Sequence, residues 1–328
     1  EGEACHDFGC LCEDNDDCFS GYCLESDGGE TTCTQTCEDT CPAGYSCLPI
    51  PSQTDVVFVC VPETSPLCAP CEDDAACGTS GARCLTLGDG LFETIAVRGR
   101  RAARTDAHLA RLGDGAEVIG LAIPLAGDEL KAALQDVIEA NAIDEGVLRL
   151  TLTRGPAPRG LWSPVPAQPT LLITGACQDL TSQEPVTAVI ATTTRRNEHS
   201  PLSGIKSTSC LDGILAAREA AKRGADDALL LNGAGNLAEA TAANLFVVID
   251  SGAVTPPVDD GAMPGVMRAD VIRVLGAAER TLGPADLSSA SEAFLTNSLG
   301  IRPLTAVDGE PIGDGNPGPV TAEARKIV

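Results

Sequence analysis

Few residues in this 328-residue chain can serve as an amine nucleophile: the lysines are Lys131, Lys206, Lys222 and Lys326. Lys131 and Lys222 fall in polar helical stretches and Lys326 is third from the end, whereas Lys206 follows the uncharged run Pro201-Leu-Ser-Gly-Ile205. Partial desolvation in such a run lowers an amine's pKa and leaves more of it neutral. Glu239 precedes Thr241 and Asn244 in a stretch that otherwise reads as buried. A lone buried carboxylate is costly, so this one calls for a cationic partner. Arg111 follows His108 by three positions and shares its helical face. Pro264-Gly-Val-Met267 reads as a helix start, whose free N–H groups and dipole suit an anion.

A second chemistry lies at the other end of the chain. Of the 16 cysteines, 14 fall between Cys5 and Cys84, and only Cys177 and Cys210 lie beyond. Residues 1–84 carry 17 acidic side chains and one basic residue, Arg83. Acidic turns recur before Gly-containing loops, as in Cys12-Glu-Asp-Asn-Asp-Asp-Cys18, Cys37-Glu-Asp-Thr-Cys41 and Cys71-Glu-Asp-Asp-Ala-Ala-Cys77. A segment this poor in large apolar residues folds only with cross-links, which predicts up to seven disulfides. Zinc is the rival reading, but only Cys68-Ala-Pro-Cys71 has a short zinc-type spacing, and His6 is the only histidine nearby. No acidic run has the Asp-x-Asp-x-Asp-Gly order of a calcium loop, so those runs read as a solvated face.

The elements that must position Lys206 and Glu239 begin near residue 85. Glu93 to Val97 and Gly146 to Thr153 read as strands, and Asp106 to Leu112 and Asp128 to Ala140 as helices. Five prolines between Pro156 and Pro169 break regular structure and mark a linker. Strands follow at Thr170 to Thr174 and Val186 to Ala191, then a helix from Leu211 to Arg223. Ala228 to Leu231 and Ala243 to Ile249 read as a hairpin about Asn232-Gly-Ala-Gly235. The helix at Pro264, a short strand at Phe294 to Thr296 and a last helix after Gly318-Pro-Val-Thr321 complete an alternating α/β pattern.

Seven blocks occur in order: Gly88-Asp-Gly-Leu-Phe-Glu-Thr94, His108-Leu-Ala-Arg-Leu112, Thr153-Arg-Gly155, Ser200-Pro-Leu-Ser-Gly-Ile-Lys-Ser-Thr208, Glu239-Ala-Thr-Ala-Ala-Asn-Leu-Phe246, Pro264-Gly-Val-Met-Arg268 and Gly318-Pro-Val-Thr321. Together they resemble the class IV pyridoxal-phosphate aminotransferases, which include branched-chain and D-amino-acid aminotransferases and aminodeoxychorismate lyase. The resemblance covers about residues 85–328. It implies an α/β (α+β) two-domain fold-type IV enzyme behind a small disulfide-rich irregular module. The domains would be 1–84, the cysteine module; 85–165, a small domain; and 166–328, the large cofactor-binding domain. The implied activity is transamination between an amino acid and a 2-oxo acid, through a Schiff base of pyridoxal 5'-phosphate with Lys206. By the same resemblance Glu239 faces the ring nitrogen, and Arg111, the backbone of Val266 and Met267, and Ser298 hold the phosphate. Phe92 lies at the substrate, and Arg159 falls where the D-amino-acid and lyase branches place a carboxylate-binding arginine. A homodimer is implied as well.

The chain departs from the pattern in places. Leu211 stands where branched-chain members carry tyrosine, Leu161 where the D-amino-acid enzymes carry histidine, and Leu87 where an aromatic residue precedes the first block. The family carries roughly twenty further residues of small-domain strand upstream, and their loss would expose a sheet edge. His199, near Lys206, reads as a loop histidine. Arg159-Gly160 and Ala242-Ala-Asn-Leu-Phe246 lean toward the lyase, and Gly318-Pro-Val-Thr321 toward the aminotransferases. A third reading is a non-catalytic extracellular cysteine-rich binding protein carrying a degenerate or misjoined enzyme domain.

The net charge of −25 repels a phosphate backbone and argues against a nucleic-acid reader. No apolar run reaches the roughly 18 residues that span a bilayer. Glu1 starts the chain with no signal-like stretch after it, which reads as a processed start or a fragment. The two halves point to different compartments: the cytoplasm for the enzyme family, an oxidising exterior for the cysteine framework.

Overall fold

The computed structural model describes residues 11–12, 18, 23–25, 31–35, 41, 45–51, 56–62, 88–155, 167–181 and 183–328. The chain divides into two compact units, Glu1–Thr86 with Pro156–Gly160, and Leu87–Gly155 with Leu161–Val328.

In the first unit β1 (Cys23–Glu25) pairs antiparallel with β2 (Thr31–Cys33), and β3 (Tyr45–Pro51) with β4 (Val56–Pro62). Disulfides join Cys12 to Cys23 and Cys18 to Cys33, and Cys41 is also disulfide-bonded. Among the described residues of this unit Cys12, Cys18 and Cys33 form the buried cluster, so there the cystines take the place of an apolar core. Closing loops of this size stabilises a chain by about 3 kcal/mol each in the chain-entropy account. The three sulfurs are close enough together to resemble a metal ligand set, but all three are spent in disulfides rather than free as thiolates. Cys68 and Cys71 lie outside the described residues.

The second unit opens with β5 (Gly90–Arg98), β6 (Arg101–Ala102), α1 (Thr105–Ile119), α2 (Gly127–Ala140), β7 (Gly146–Thr153) and β8 (Thr170–Cys177). The strands form one sheet in the order β6-β5-β7-β8, in which β8 is an edge among the described residues. Alternation along β5 sends Leu91, Ile95 and Val97 into the layer covered by the helices, where Leu112 of α1 and Leu130, Leu134 and Ile138 of α2 meet Leu148, Leu150 and Leu152 of β7. The helix expected at Asp106 to Leu112 continues to Ile119 despite two glycines. The second, Gly115, packs so closely on β5 that a Cβ there would lie 3.1 Å from a Leu91 methyl carbon. Most of the proline-rich stretch lies outside the described residues.

The remaining elements are β9 (Val186–Ile190), α3 (Leu211–Lys222), β10 (Asp227–Leu231), β11 (Leu237–Ala240), β12 (Asn244–Ile249), β13 (Gly252–Thr255), α4 (Val266–Leu275), β14 (Ala278–Glu279), α5 (Pro284–Ser289), β15 (Glu292–Asn297), β16 (Gly300–Val307), β17 (Glu310–Pro311) and α6 (Pro319–Ala324). They build a nine-stranded mixed sheet, β11-β10-β9-β16-β15-β12-β13-β14, with β17 on β16. Both its faces are covered. Phe246 and Phe294 stack at 5.1 Å among Met267, Val271 and Ala324, and Ala216 and Ala220 of α3 pack on β9 and β10.

The hairpin is corrected in one strand. The turn at Asn232 leads into β11, with Leu229 opposite Ala240, and not into the strand near Ala243. That later strand, β12, pairs instead with β13 and β15. The chain turns between them because Asp227 captures Thr241 through its hydroxyl (2.6 Å) and its N–H (3.2 Å), while Ala240 N–H donates to the Ala243 carbonyl (2.8 Å).

Candidate active site

Lys206 follows a 3₁₀ turn, Pro201–Gly204, which the Ser200 hydroxyl caps by accepting from Leu202 N–H at 3.2 Å. The next residues lie along the free side of β5. Phe92 N–H donates to the Lys206 carbonyl at 2.9 Å, Leu91 bridges Ser207, and Thr208 N–H donates to the Gly90 carbonyl at 2.9 Å. The Gly88-Asp-Gly90 block and the Lys206 block are therefore one backbone pairing, and this sets where the amine stands. Burial, and then the charge of Arg111, pull the Lys206 amine below the usual lysine range, with Glu93, Glu239 and Cys210 partly opposing them.

Glu239 stands on β11, 7% exposed. Its carboxylate accepts from Met263 N–H at 2.9 Å and pairs with Arg196 Nε at 3.0 Å. Burial pushes its pKa up, and Arg196 and the Met263 N–H offset only part of that rise. Its buried charge is therefore only partly offset, and a further cationic or N–H partner would stabilise it. Arg196 is held in turn by the carbonyls of Gly261 (3.2 Å) and Ser203 (3.0 Å), so it ties the Glu239 end to the turn that carries Lys206. Sequence reading passes over Arg196. Its only signal is the charged pair Arg195-Arg196 ten residues before the lysine.

Arg111 reaches from α1 to Glu93 on β5, with Nε to Oε1 at 2.8 Å and Nη2 to Oε2 at 2.5 Å, and its Nη1 donates to the Pro264 carbonyl at 3.3 Å. His108 shares the same carboxylate through Nδ1 at 2.7 Å, and both side chains are 1% exposed. Burial alone would raise Glu93, but hydrogen bonds and charge from His108 and Arg111 hold it below its ordinary value. His108 and Arg111 thus act as a pair with Glu93, a partner that sequence spacing does not reveal. The contact to Pro264 brings the guanidinium to the start of α4. There Gly265 is required: a Cβ would fall 2.0 Å from Asn244 Oδ1. Asn244 itself donates to the Met263 carbonyl at 2.8 Å, which fixes the turn ahead of the helix.

These pieces line one cavity of about 350 Å³. Phe92, Arg111, Arg196, Lys206 and Glu239 share it with Val266 and Met267 at the α4 start, with Thr296 near the end of β15 and with Ser298 just after it. The Thr296 hydroxyl is buried there and has no hydrogen-bond partner. Of the expected site residues only Arg159 is not placed, since it lies outside the described residues. His199 is exposed and is not part of the cavity lining. Cys210, a free thiol, lines the cavity mouth.

Comparison with known proteins places the chain in one family. The family model for amino-transferase class IV matches residues 90–307. D-alanine aminotransferase of Bacillus licheniformis is 30% identical over 253 residues, which is 74% of this chain and 87% of the relative. Among solved structures, a Legionella pneumophila protein described as a 4-amino-4-deoxychorismate lyase is 32% identical with a TM-score of 0.69, covering 74% of this chain and 91% of that one. The Escherichia coli branched-chain amino acid aminotransferase is 26% identical with a TM-score of 0.70, covering 74% and 85%.

Proposed function

The chain belongs to the class IV aminotransferases and is a pyridoxal-phosphate-dependent enzyme of transamination; from that premise we propose how its own residues divide the work. The cavity fits the cofactor. Glu239 is a buried carboxylate whose charge is only partly offset, Gly265 leaves the α4 start open, and the Thr296 hydroxyl lacks an acceptor. Arg111, the N–H groups of Val266 and Met267, and the Ser298 hydroxyl would hold the phosphate. Glu239, steadied by Arg196, would keep the ring nitrogen protonated, and Lys206 would carry the covalent attachment. When bound, the cofactor supplies an electron sink for the pair left as the substrate Cα loses its proton.

Lys206 Nζ then moves that proton. A lowered pKa leaves more of the amine neutral near pH 7, as a base requires, and the same atom can return the proton to the other carbon. Phe92 forms one wall over Nζ and excludes water. In this reading Arg159 receives a substrate carboxylate, the module and domain limits are 1–84, 85–165 and 166–328, and the enzyme works as a homodimer, which sedimentation at micromolar concentration tests. One observation carries the reading: Arg111, Lys206, Glu239 and the α4 start come from four separate segments and line a single cavity.

The direct test supplies the cofactor, a panel of L- and D-amino acids and a 2-oxo acid, and follows formation of the new amino acid. Amino-group exchange that Lys206→Ala abolishes is the expected result. The likeness to the Legionella protein motivates one alternative, a lyase. Pyruvate release from aminodeoxychorismate without amino-group exchange would replace the transaminase reading with that one.

A further inference from the structure

Phe92 has a neighbour on each side. At this point β5 lies between β7 and the segment that carries Lys206. Toward β7, Phe92 is opposite Thr151 and Thr94 is opposite Arg149. On the other side Leu91 bridges Ser207, which sets Phe92 beside Lys206. Residues opposite one another in a pairing share a face, so Phe92, Arg149 and Lys206 rise together, with Phe92 in the middle strand. The side chains bear this out. The Arg149 guanidinium carbon is 3.9 Å from the Phe92 ring centroid and Lys206 Nζ is 4.4 Å from the same centroid. The two cations reach the ring from the neighbouring segments on either side of β5.

Arg149 is exposed, and no carboxylate is paired with it among the described residues. An unpaired arginine held over an aromatic ring gives up freedom for that contact, and the contact restrains the ring's tilt. We propose that Arg149 is a positioning residue for Lys206: by stacking on Phe92 it holds the ring face-on to Lys206 Nζ. The proposal rests on the reading of Lys206 as the reacting amine.

The consequence is electrostatic. The π face of Phe92 favours the ammonium form of Lys206. Burial and Arg111 of α1 oppose that form, and Glu93 of β5, Glu239 of β11 and Cys210 support it. A ring free to swing away would withdraw its share, and the amine would lose its proton more readily. Its rate of reaction with an electrophile at fixed pH would rise.

The test uses the cofactor-free full chain, pulsed with acetic anhydride between pH 7 and 10, with acetylation of each lysine read by mass spectrometry. Lys131, Lys222 and Lys326 are internal references. Arg149→Gln and Arg149→Met both remove the fork, circular dichroism checks their fold, and Phe92→Leu removes the ring. The expected result is a rise of roughly 2- to 5-fold in Lys206 acetylation at pH 8 in either Arg149 variant, with the references unchanged. Phe92→Leu should raise it at least as much, and adding Arg149→Gln to Phe92→Leu should do nothing further. An unchanged Lys206 profile in both Arg149 variants would overturn the proposal. So would an equal rise in the Phe92→Leu background, since Arg149 would then act without the ring; losing its charge alone would favour the ammonium form and lower acetylation. The readout needs no cofactor, so its failure is distinct from a failure of the cofactor to attach to Lys206.

Discussion

Glu93 shows how one side chain can serve two others. His108 and Arg111 both depend on its carboxylate, and Arg111 faces the cavity as well. Glu93→Gln leaves Arg111 without its counter-charge, and breaking a buried pair at one end costs about 3 kcal/mol. Urea unfolding should show that loss at neutral pH. Because the folded pKa of Glu93 lies below 4.5, its contribution is complete above pH 4.5 and fades as pH falls through the folded value, so variant and wild type converge in acid. Lys206 gives the opposite sign. Its folded pKa lies below 10.5, so the unfolded chain binds more protons between the two values and stability rises with pH across that window. Lys206→Met should therefore stabilise the cofactor-free chain, most at pH 6 to 7 and less as pH approaches 10.5. Melts at several pH values measure this, and a variant less stable than wild type at pH 7 would refute it.

Among the elements, α6 is only six residues long and depends on an acid from another strand. Glu292 of β15, 7% exposed, accepts from Val320 N–H (3.1 Å), Thr321 N–H (2.9 Å) and the Thr321 hydroxyl (2.9 Å). This explains Gly318-Pro-Val-Thr321 as a helix start built around a carboxylate. Glu292→Ala should cost about 2–3 kcal/mol in thermal or urea unfolding, and a loss below 0.5 kcal/mol would show the cap to be idle. Strands with clean alternation were legible from sequence: β7 runs from Gly146 to Thr153, as the pattern predicts, and α2 differs from expectation only by Gly127. Other elements hide for local reasons. β11 is Leu-Ala-Glu-Ala, with little β propensity, so the stronger Asn244–Ile249 run draws the hairpin assignment to itself. β16 carries Pro303, which argues against a strand inside a sheet, yet parallel pairing to β9 and antiparallel pairing to β15 hold it there. Lys206, Glu239 and Arg111 could be named from motif spacing. Arg196 and Glu93 could not, because their parts are set by contacts between distant segments.

The whole molecule joins two ways of being stable. Among the described residues, cystines cross-link the first unit and Cys12, Cys18 and Cys33 form its buried cluster, while the second unit buries extended aliphatic layers on both faces of its large sheet. Both described disulfides lie in the first unit, and the two cysteines beyond residue 85 are free and exposed. Mild reduction should therefore leave the cofactor-binding unit's unfolding transition and its cofactor absorbance unchanged. Loss of the absorbance on reduction would show that the cavity depends on the module. The central claim, that this chain assembles a working site around Lys206, has one direct measurement. The full chain and Lys206→Ala are each mixed with pyridoxal phosphate, their visible spectra recorded before and after borohydride, and the reduced protein mapped by mass spectrometry. The account predicts a visible band that borohydride converts into a stable adduct on Lys206, absent from the variant. An equal adduct in the variant, or an adduct spread over Lys131, Lys222 and Lys326, would contradict it.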